Sequence, residues 1–284
     1  MHNRVKDYGA VVFAGICFGT TGTAQALGPS GASPLVVGAS RLLLGSLFLW
    51  AFHHLLKAGG SKIRAADLIL GGVGVALYQI SFFSAVRSTG VAVGTLTAIG
   101  SAPALTGIVG YLINREVPSR RWFSATLITT VGIVFLTGAK GFTHFNLTGV
   151  LLALGAGASY SLFAVASKRA MNGGASFTEA MYKIFGLGAI LLLPFFLIGK
   201  NHFLVTRSGF LMVLWLGIVP TAIAYIAYAY GLNQIRVATA STLILAEPAT
   251  ATLLAALVLS ESLNIFSWLG VAIVATGLIY LSRE

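Results

Sequence analysis

Ten stretches of about 20 mostly apolar residues follow one another along this chain, and short polar breaks separate them. A helix needs about 20 such residues to cross the hydrocarbon core of a membrane. Strands of a membrane barrel would instead alternate over about ten residues, and these runs are too long and too continuously apolar for that. The pattern therefore predicts an all-α membrane protein with ten transmembrane helices. The stretches lie at 8–27, 34–56, 66–87, 91–113, 120–138, 147–170, 176–199, 208–231, 237–259 and 264–282.

The composition excludes a soluble domain, because only 9% of the residues are charged and 57% are hydrophobic. A soluble domain carries about 25% charged residues. The net charge of +11 would suggest a nucleic-acid partner in a soluble protein, but here most basic residues lie at the ends of apolar stretches. We expect a lipid bilayer and a small-molecule substrate as partners, and no nucleic acid. Cys17 is the one cysteine, no metal-ligand spacing or phosphate loop is present, and we expect no metal and no cofactor.

The distribution of basic residues predicts the orientation in the membrane. If the N-terminus is cytoplasmic, 12 of the 18 lysines and arginines fall at cytoplasmic helix ends and four at the opposite side. Positive residues concentrate on the cytoplasmic side of membrane proteins. Both termini are therefore expected in the cytoplasm of a multi-pass protein of the inner (plasma) membrane.

Two segments of equal length reveal an internal repeat. The segment "GSAPALTGIVGYLINRE" at 100–116 has Pro103 and Glu116 where "LAEPATATLLAALVLSE" at 245–261 has Pro248 and Glu261. The same offset of 145 residues carries "GIVFLTG" at 132–138 onto "GLIYLSR" at 277–283. Two five-helix halves, 8–138 and 147–282, are predicted. Because five is odd, the second half enters the membrane with the opposite orientation, and such inverted repeats are found in many secondary transporters.

The repeat also decides how the first apolar stretch is interpreted. A basic start followed by an apolar run and the small residues around Gln25 resembles a cleavable signal peptide. We favour a retained first helix, because the five-helix repeat requires this segment.

These residues resemble a known family. Two five-helix halves, each with a proline and then a glutamate thirteen residues later, are similar to the drug/metabolite transporter superfamily and to its ten-helix exporters with EamA-type repeats. Arg41 in "GASRLLLG" also matches an arginine that is often found in that family. Ala102 departs from the pattern, since Glu247 stands at the equivalent position in the second half. The resemblance implies export of amino acids or related metabolites, and the many Phe and Tyr residues point to an aromatic amino-acid exporter.

Glu247 and the two prolines are the first candidate site. A carboxylate near the bilayer centre costs about 2.5–3.5 kcal/mol on insertion scales, so it is expected to face the bundle interior. Pro248 removes a helix hydrogen bond to the carbonyl of Ile244, and Pro103 should do the same in the first half. Helix breaks at both prolines are therefore predicted at the interface of the halves. A simple packing kink remains the alternative.

Two cations lie deep enough to compensate Glu247. Lys183 is the first choice of partner and Arg41 the second, and Glu247 is either the member of such a charge pair or a group that couples transport to a proton gradient. Lys183 also follows Glu179 by four residues, which places both on one helix face, so a local pair competes. Direct contact between Glu247 and the substrate stays open.

A second candidate group consists of aromatic and polar residues near the middle of their helices. Tyrosine hydroxyls at that depth need an internal partner, and such residues suit a mostly apolar pocket with a few orienting polar groups. Each one could equally belong to an ordinary packed core, and their recurrence in several helices favours the pocket. The predicted substrate-binding residues are Tyr78, Gln79, Phe82, Ser101, Tyr160, Phe163 and Tyr225.

The leading hypothesis is a secondary transporter that exports small organic solutes by alternating access, with substrate bound between the halves. A broad-specificity drug or metabolite exporter is the closest alternative. A membrane-embedded enzyme is an alternative of another class, but no polar catalytic cluster is visible in the sequence, and we expect the protein not to be an enzyme.

Overall fold

The computed structural model describes residues 4–56, 59, 62–138 and 146–283, and within them it contains helices and no strand. A short 3₁₀ turn, His202–Val205, precedes the eighth helix. The helices are α1 (Arg4–Ala26), α2 (Pro34–Leu55), α3 (Ala65–Gly90), α4 (Val93–Asn114), α5 (Arg120–Gly138), α6 (Leu147–Asn172), α7 (Phe177–Ile198), α8 (Arg207–Leu232), α9 (Val237–Leu259) and α10 (Ile265–Ser282).

Eight of these helices are long and apolar enough to cross a membrane, and the chain is a multi-pass membrane protein. The eight are α2, α3, α4, α6, α7, α8, α9 and α10. The other two, α1 and α5, are less apolar. Helix α1 begins with three charged residues in its first turn, and α5 begins with two arginines and contains several threonines. The prediction of ten crossings is therefore supported by length and composition for eight of the helices.

Regular α-helical geometry is interrupted at three places. Helices α3 and α4 form one helical stretch, Ala65–Asn114. Gly90 divides this stretch, because its φ of 80° is not helical and is adopted readily only by glycine. Helix α8 contains a π-helical segment, Ile218–Ile223. Helix α9 consists of two parts, Val237–Leu243 and Ala246–Leu259, which are separated by a turn.

The helix break at Pro248 is present, whereas the one expected at Pro103 is not. The turn in α9 lies directly before Pro248, and the carbonyl oxygen of Ile244 accepts a hydrogen bond from the backbone N–H of Glu247 at 2.8 Å. Helix α4 keeps helical backbone angles through Pro103, since Gly90 is the one interior position of its stretch that leaves them. A proline inside a helix can be accommodated by a bend alone, which needs no unwound turn.

Helices α5 and α10 make a reciprocal contact. A Cβ placed on Gly132 would lie 2.7 Å from a side-chain carbon of Val274 and 3.0 Å from the carbonyl oxygen of Gly270. A Cβ placed on Gly277 would lie 2.6 Å from a side-chain carbon of Thr129 and 3.2 Å from the carbonyl oxygen of Ala125. Each residue of one contact lies 145 positions from its counterpart in the other. A two-fold relation produces this kind of self-complementary contact.

The C-terminal caps of α4 and α9 are also alike. Arg115 has φ 59° and Ser260 has φ 57°, both in the left-handed region. The following backbone N–H reaches back six residues in both cases, from Glu116 to Gly110 at 3.3 Å and from Glu261 to Ala255 at 3.1 Å. A left-handed residue after the last turn lets backbone N–H groups satisfy carbonyls at the end of the helix in this way. Equal caps stand at equivalent positions of the proposed halves.

The core of the bundle lies where helices from both parts of the sequence meet. Helix α1 packs against α8 and the second part of α9, and α6 packs against α3 and α4. Helix α2 packs against α7, and α5 against α10. Large side chains such as Leu42, Phe185, Tyr228 and Leu243 are fully or almost fully buried between these helices. A central cavity lies within this packing.

Candidate functional site

A central cavity lies between helices of the N-terminal and C-terminal parts of the chain. Helices α1, α2, α3, α4, α6, α8 and α9 all contribute to its wall. Each of these helices supplies between one and four lining residues. Seven residues predicted from the sequence line it: Arg41, Tyr78, Gln79, Phe82, Tyr160, Tyr225 and Glu247.

Arg41 is held in the wall of the cavity by a neighbouring amide. When the amide oxygen of the buried Gln79 faces the guanidinium, it accepts hydrogen bonds from Nε of Arg41 at 3.2 Å and from Nη2 at 2.9 Å. Gln79 therefore fixes one edge of the guanidinium fork. The other edge, formed by Nη1 and Nη2, has no partner among the residues that the structure describes.

Glu247 enters the cavity from the break in α9. The turn before Pro248 is covered by α1, where a Cβ on Gly15 would lie 3.2 Å from the carbonyl oxygen of Ile244. A Cβ on Gly19 would lie 2.8 Å from the carbonyl oxygen of Glu247 itself. The absence of side chains at these two glycines lets α1 lie directly on the break. The Glu247 carboxylate has no hydrogen-bond or ion-pair partner within the described part of the chain.

Arg41 and Glu247 interact electrostatically without forming a contact ion pair. Both line the cavity, and the charge of Arg41 acts on Glu247. The hydroxyls of Tyr78 and Tyr225 lie within electrostatic range of both charged groups. The cavity therefore holds a guanidinium and a carboxyl group that are not in direct contact.

Aromatic rings form the rest of the wall. The rings of Tyr78 and Phe82 are stacked, with centroids 5.6 Å apart. Tyr225 packs against Phe18 at 4.8 Å and against Phe185 at 4.2 Å between centroids. These contacts give the cavity a mostly apolar lining with fixed ring positions, which suits a small organic ligand.

Two further predicted residues lie beside this lining. Phe163 is buried, and it lines a small adjoining cavity together with Arg41 and Tyr225. Ser101 faces the contact between α4 and α6, where its hydroxyl donates to the carbonyl of Ala98 at 3.3 Å. Ser101 is not part of the cavity wall, because Ala98, Ile99 and Ala102 occupy that face of α4.

Lys183 does not pair with Glu247 in this structure. Its Nζ lies 2.5 Å from Oε1 of Glu179, one turn earlier on the same face of α7. Lys183, the first predicted partner of Glu247, instead forms the local i,i+4 pair with Glu179. Arg41, the second choice, is the cation that shares the cavity with Glu247.

The sequence reasoning missed the contributions of α1 and of the start of α9. Phe18, Thr21 and Gln25 line the cavity from α1, and Ser241 lines it from α9. Gln25 could have been predicted, because it is an amide near the end of an apolar helix, but it was considered only as part of a possible cleavage site. Phe18 gave no signal, since an aromatic residue in an apolar helix is ordinary.

A network of polar contacts closes one end of the bundle, and we call it the cross-half network. Glu116, after α4, and Trp122, in α5, contact the start of α9 across the two parts of the chain, and Lys168, in α6, holds the adjoining connection between α8 and α9. Oε2 of Glu116 accepts from the N–H of Val237 at 2.8 Å, and Nε1 of Trp122 donates to the carbonyl of Ala238 at 2.9 Å. Nζ of Lys168 donates to the carbonyls of Leu232, Asn233 and Ile235 at 2.9, 2.9 and 3.1 Å.

The cavity lies towards the opposite end of the bundle. Thr21 and Gln25 belong to the last turns of α1, and Phe82 and Phe83 belong to the second half of α3. Between the cavity and the cross-half network, Tyr228 is fully buried, and its hydroxyl accepts from that of Tyr160 at 3.1 Å. The site is thus closed on one side by packed aromatic rings and by the network.

A multi-pass helical membrane protein with a polar, aromatic-lined cavity between its two parts is organised as a carrier of small solutes. The comparison with known families agrees. The chain belongs to the EamA-like transporter family, whose profile matches residues 7–138 and 147–283. The resemblance to the EamA family of the drug/metabolite transporter superfamily is confirmed.

Several curated proteins are similar to this chain. The uncharacterized transporter YwfM of Bacillus subtilis is 38% identical over 96% of this chain and 92% of its own length. The threonine/homoserine exporter RhtA of Escherichia coli K12 is 28% identical over 87% of this chain and 80% of its own length. One crystal structure superposes with a TM-score of 0.85 at 22% identity, covering 98% of both chains, and it shares the fold.

Proposed function

We propose that this protein is a secondary transporter of the inner (plasma) membrane that exports small organic solutes by alternating access. The proposed cargo is an amino acid, aromatic or otherwise apolar, or a related metabolite. The central cavity carries this proposal, since residues from α2 and α3 and residues from α8 and α9 form one wall with two opposite charges. The similarity to RhtA, a threonine/homoserine exporter, supports the choice of amino acids.

The proposed architecture is ten transmembrane helices in two inverted five-helix repeats, 8–138 and 147–282, with both termini in the cytoplasm. The two matches of the family profile support this division. So do the reciprocal contacts of Gly132 and Gly277 and the equal caps at Arg115 and Ser260. In this arrangement the cross-half network lies at the cytoplasmic end, and the cavity lies towards the outside.

The proposed mechanism follows from that placement. To take up a solute from the cytoplasm, the two halves have to separate at this end, so the start of α9 has to leave Glu116 and Trp122. The network consists of hydrogen bonds to backbone carbonyls and N–H groups, so these groups can exchange with water when the gap opens. A bound solute would remain at the interface while the halves rock around it.

Transport by the purified protein in proteoliposomes tests this proposal. The panel consists of radiolabelled L-threonine and L-phenylalanine, a nucleotide sugar and a lipophilic cation. We expect saturable transport of at least one of the amino acids, above the level of protein-free vesicles. Transport of the lipophilic cation without either amino acid would favour a broad-specificity drug exporter and would overturn the assignment of amino acids as cargo.

A further inference from the structure

The two charges in the central cavity are available for a ligand. Arg41 is fixed through one edge of its guanidinium by Gln79, which leaves the Nη1–Nη2 edge without a partner in the described residues. The carboxylate of Glu247 likewise lacks a hydrogen-bond partner among them. Both groups are partly exposed to the cavity, so each is accessible to a complementary group of a bound solute.

Three other charged residues in the bundle, Lys183, Lys168 and Asp67, already have partners outside the cavity. Lys183 is paired with Glu179, and Lys168 donates to three carbonyls in the cross-half network. Asp67 is paired with Arg169 at 2.7 Å. Arg41 and Glu247 are the charged residues in the wall of the central cavity, as far as the structure describes it. The cavity thus presents one positive and one negative group to a bound solute.

We infer that the solute is a zwitterion, whose carboxylate binds Arg41 and whose ammonium binds Glu247. This inference rests on the proposed function and deepens it. An α-amino acid is the simplest solute of this kind. The guanidinium edge matches a planar carboxylate, which can accept two parallel hydrogen bonds, whereas an ammonium donates to a carboxylate as a point charge.

Charge balance explains why both groups of the solute are needed. A zwitterion neutralises both cavity charges and brings no net charge to the membrane interior. An amine or a carboxylic acid would neutralise one cavity charge and leave the other without compensation. The rings of Phe18, Tyr78 and Tyr225 in the same wall then contact the apolar part of the solute. Glu247 is accordingly a substrate-binding residue in this proposal.

Competition between analogues tests the inference on the unmodified protein. Exchange of radiolabelled L-threonine or L-phenylalanine in proteoliposomes is measured against unlabelled competitors. For phenylalanine these are phenylalaninamide, which lacks the carboxylate, and 3-phenylpropanoate, which lacks the ammonium. For threonine they are threonine amide and 3-hydroxybutyrate. We expect each analogue to inhibit at least about tenfold more weakly than the amino acid, since each loses one charge-assisted interaction.

Two variants assign the charges. In Arg41→Gln the preference for the amino acid over its amide should disappear, while the preference over the desamino acid remains. In Glu247→Gln the preference over the desamino acid should disappear, while the preference over the amide remains. Lys200→Gln and Glu261→Gln are matched controls on exposed residues outside the cavity, and both preferences should persist in them. A ratio between analogues is used because general damage lowers transport of all of them alike.

The outcomes separate the inference from the proposed function. If an amino acid is transported and its amide and desamino analogue inhibit equally well, the zwitterion inference is wrong while amino-acid transport stands. If Arg41→Gln loses the preference over the desamino acid, or Glu247→Gln loses the preference over the amide, the roles of Arg41 and Glu247 are wrongly assigned. If neither amino acid is transported and the lipophilic cation is, the proposed cargo and the inference both fail.

Discussion

At the scale of single residues, the contact of α1 with the break in α9 depends on glycine. A Cβ on Gly19 would lie 2.6 Å from Cβ of Thr250 and 2.8 Å from the carbonyl oxygen of Glu247. Real side chains do not approach so closely, so one helix has to move. Because Glu247 lies at this contact, the packing of α1 also fixes the position of the cavity carboxylate.

Gly19→Ala should therefore destabilise the protein and impair transport together. Overpacking of this kind costs about 1–3 kcal/mol. Gly22→Ala is the matched control, since a Cβ at Gly22 meets no atom within 4 Å and alanine is the better helix former. Thermal unfolding in detergent should show a lower melting temperature for Gly19→Ala and an unchanged or higher one for Gly22→Ala. Equal melting of both variants would contradict the contact.

Much of the cavity could be predicted from single residues. Tyr78, Gln79 and Tyr225 stand out because a hydroxyl or an amide in the middle of an apolar helix needs an internal partner, and all three line the cavity. The pairing of Lys183 with Glu179 and the wall contributed by Phe18 depend on which rotamers and which neighbouring helices are present. Sequence spacing contains no information on those choices.

At the scale of helices, α9 and α4 respond differently to proline. Pro248 follows a tightened turn with hydrogen bonds over three residues, whereas Pro103 lies in continuous helix. The apolar windows predicted both helices closely, for example 237–259 for Val237–Leu259. They did not predict the difference, because α1 lies against the break in α9 and the sequence does not show which helix covers a proline.

The two prolines form a matched pair for mutation. In Pro248→Ala the new N–H can donate to the carbonyl of Ile244, which favours a continuous helix and moves Glu247 out of its place. We expect transport to fall several-fold with no loss of thermal stability. Pro103→Ala changes a helix that is already continuous, so transport should stay close to that of the unmodified protein. Equal losses in both variants would show that the break itself has no role.

At the scale of the whole molecule, the two parts of the chain contact each other reciprocally. Gly132 and Gly277 lie in corresponding contacts between α5 and α10, and α4 and α9 end in the same cap. The repeat that suggested this organisation could be recognised from the sequence, since Pro103 and Pro248 stand at the same place in two similar segments. The reciprocal contacts themselves are tertiary and required the structure.

The proposed topology predicts which positions are accessible from outside the cell. In a Cys17→Ala background, Ser30→Cys and Ser282→Cys place single thiols at exposed positions after α1 and at the end of α10. A membrane-impermeant thiol reagent applied to intact cells should label the first and not the second. After the membrane is permeabilised, both should be labelled. Labelling of Ser282→Cys alone in intact cells would reverse the orientation.

The cross-half network bears on how a cell can tolerate this protein. A membrane that stores energy as an ion gradient is discharged by any continuous aqueous path. Here Lys168 places an ammonium against three carbonyl oxygens at the end of the bundle opposite the cavity, and Tyr228 is fully buried between them. In this conformation, ions meet packed side chains and an ammonium already bound to protein oxygens, and within the described residues no continuous aqueous path leads from the cavity to that end of the bundle.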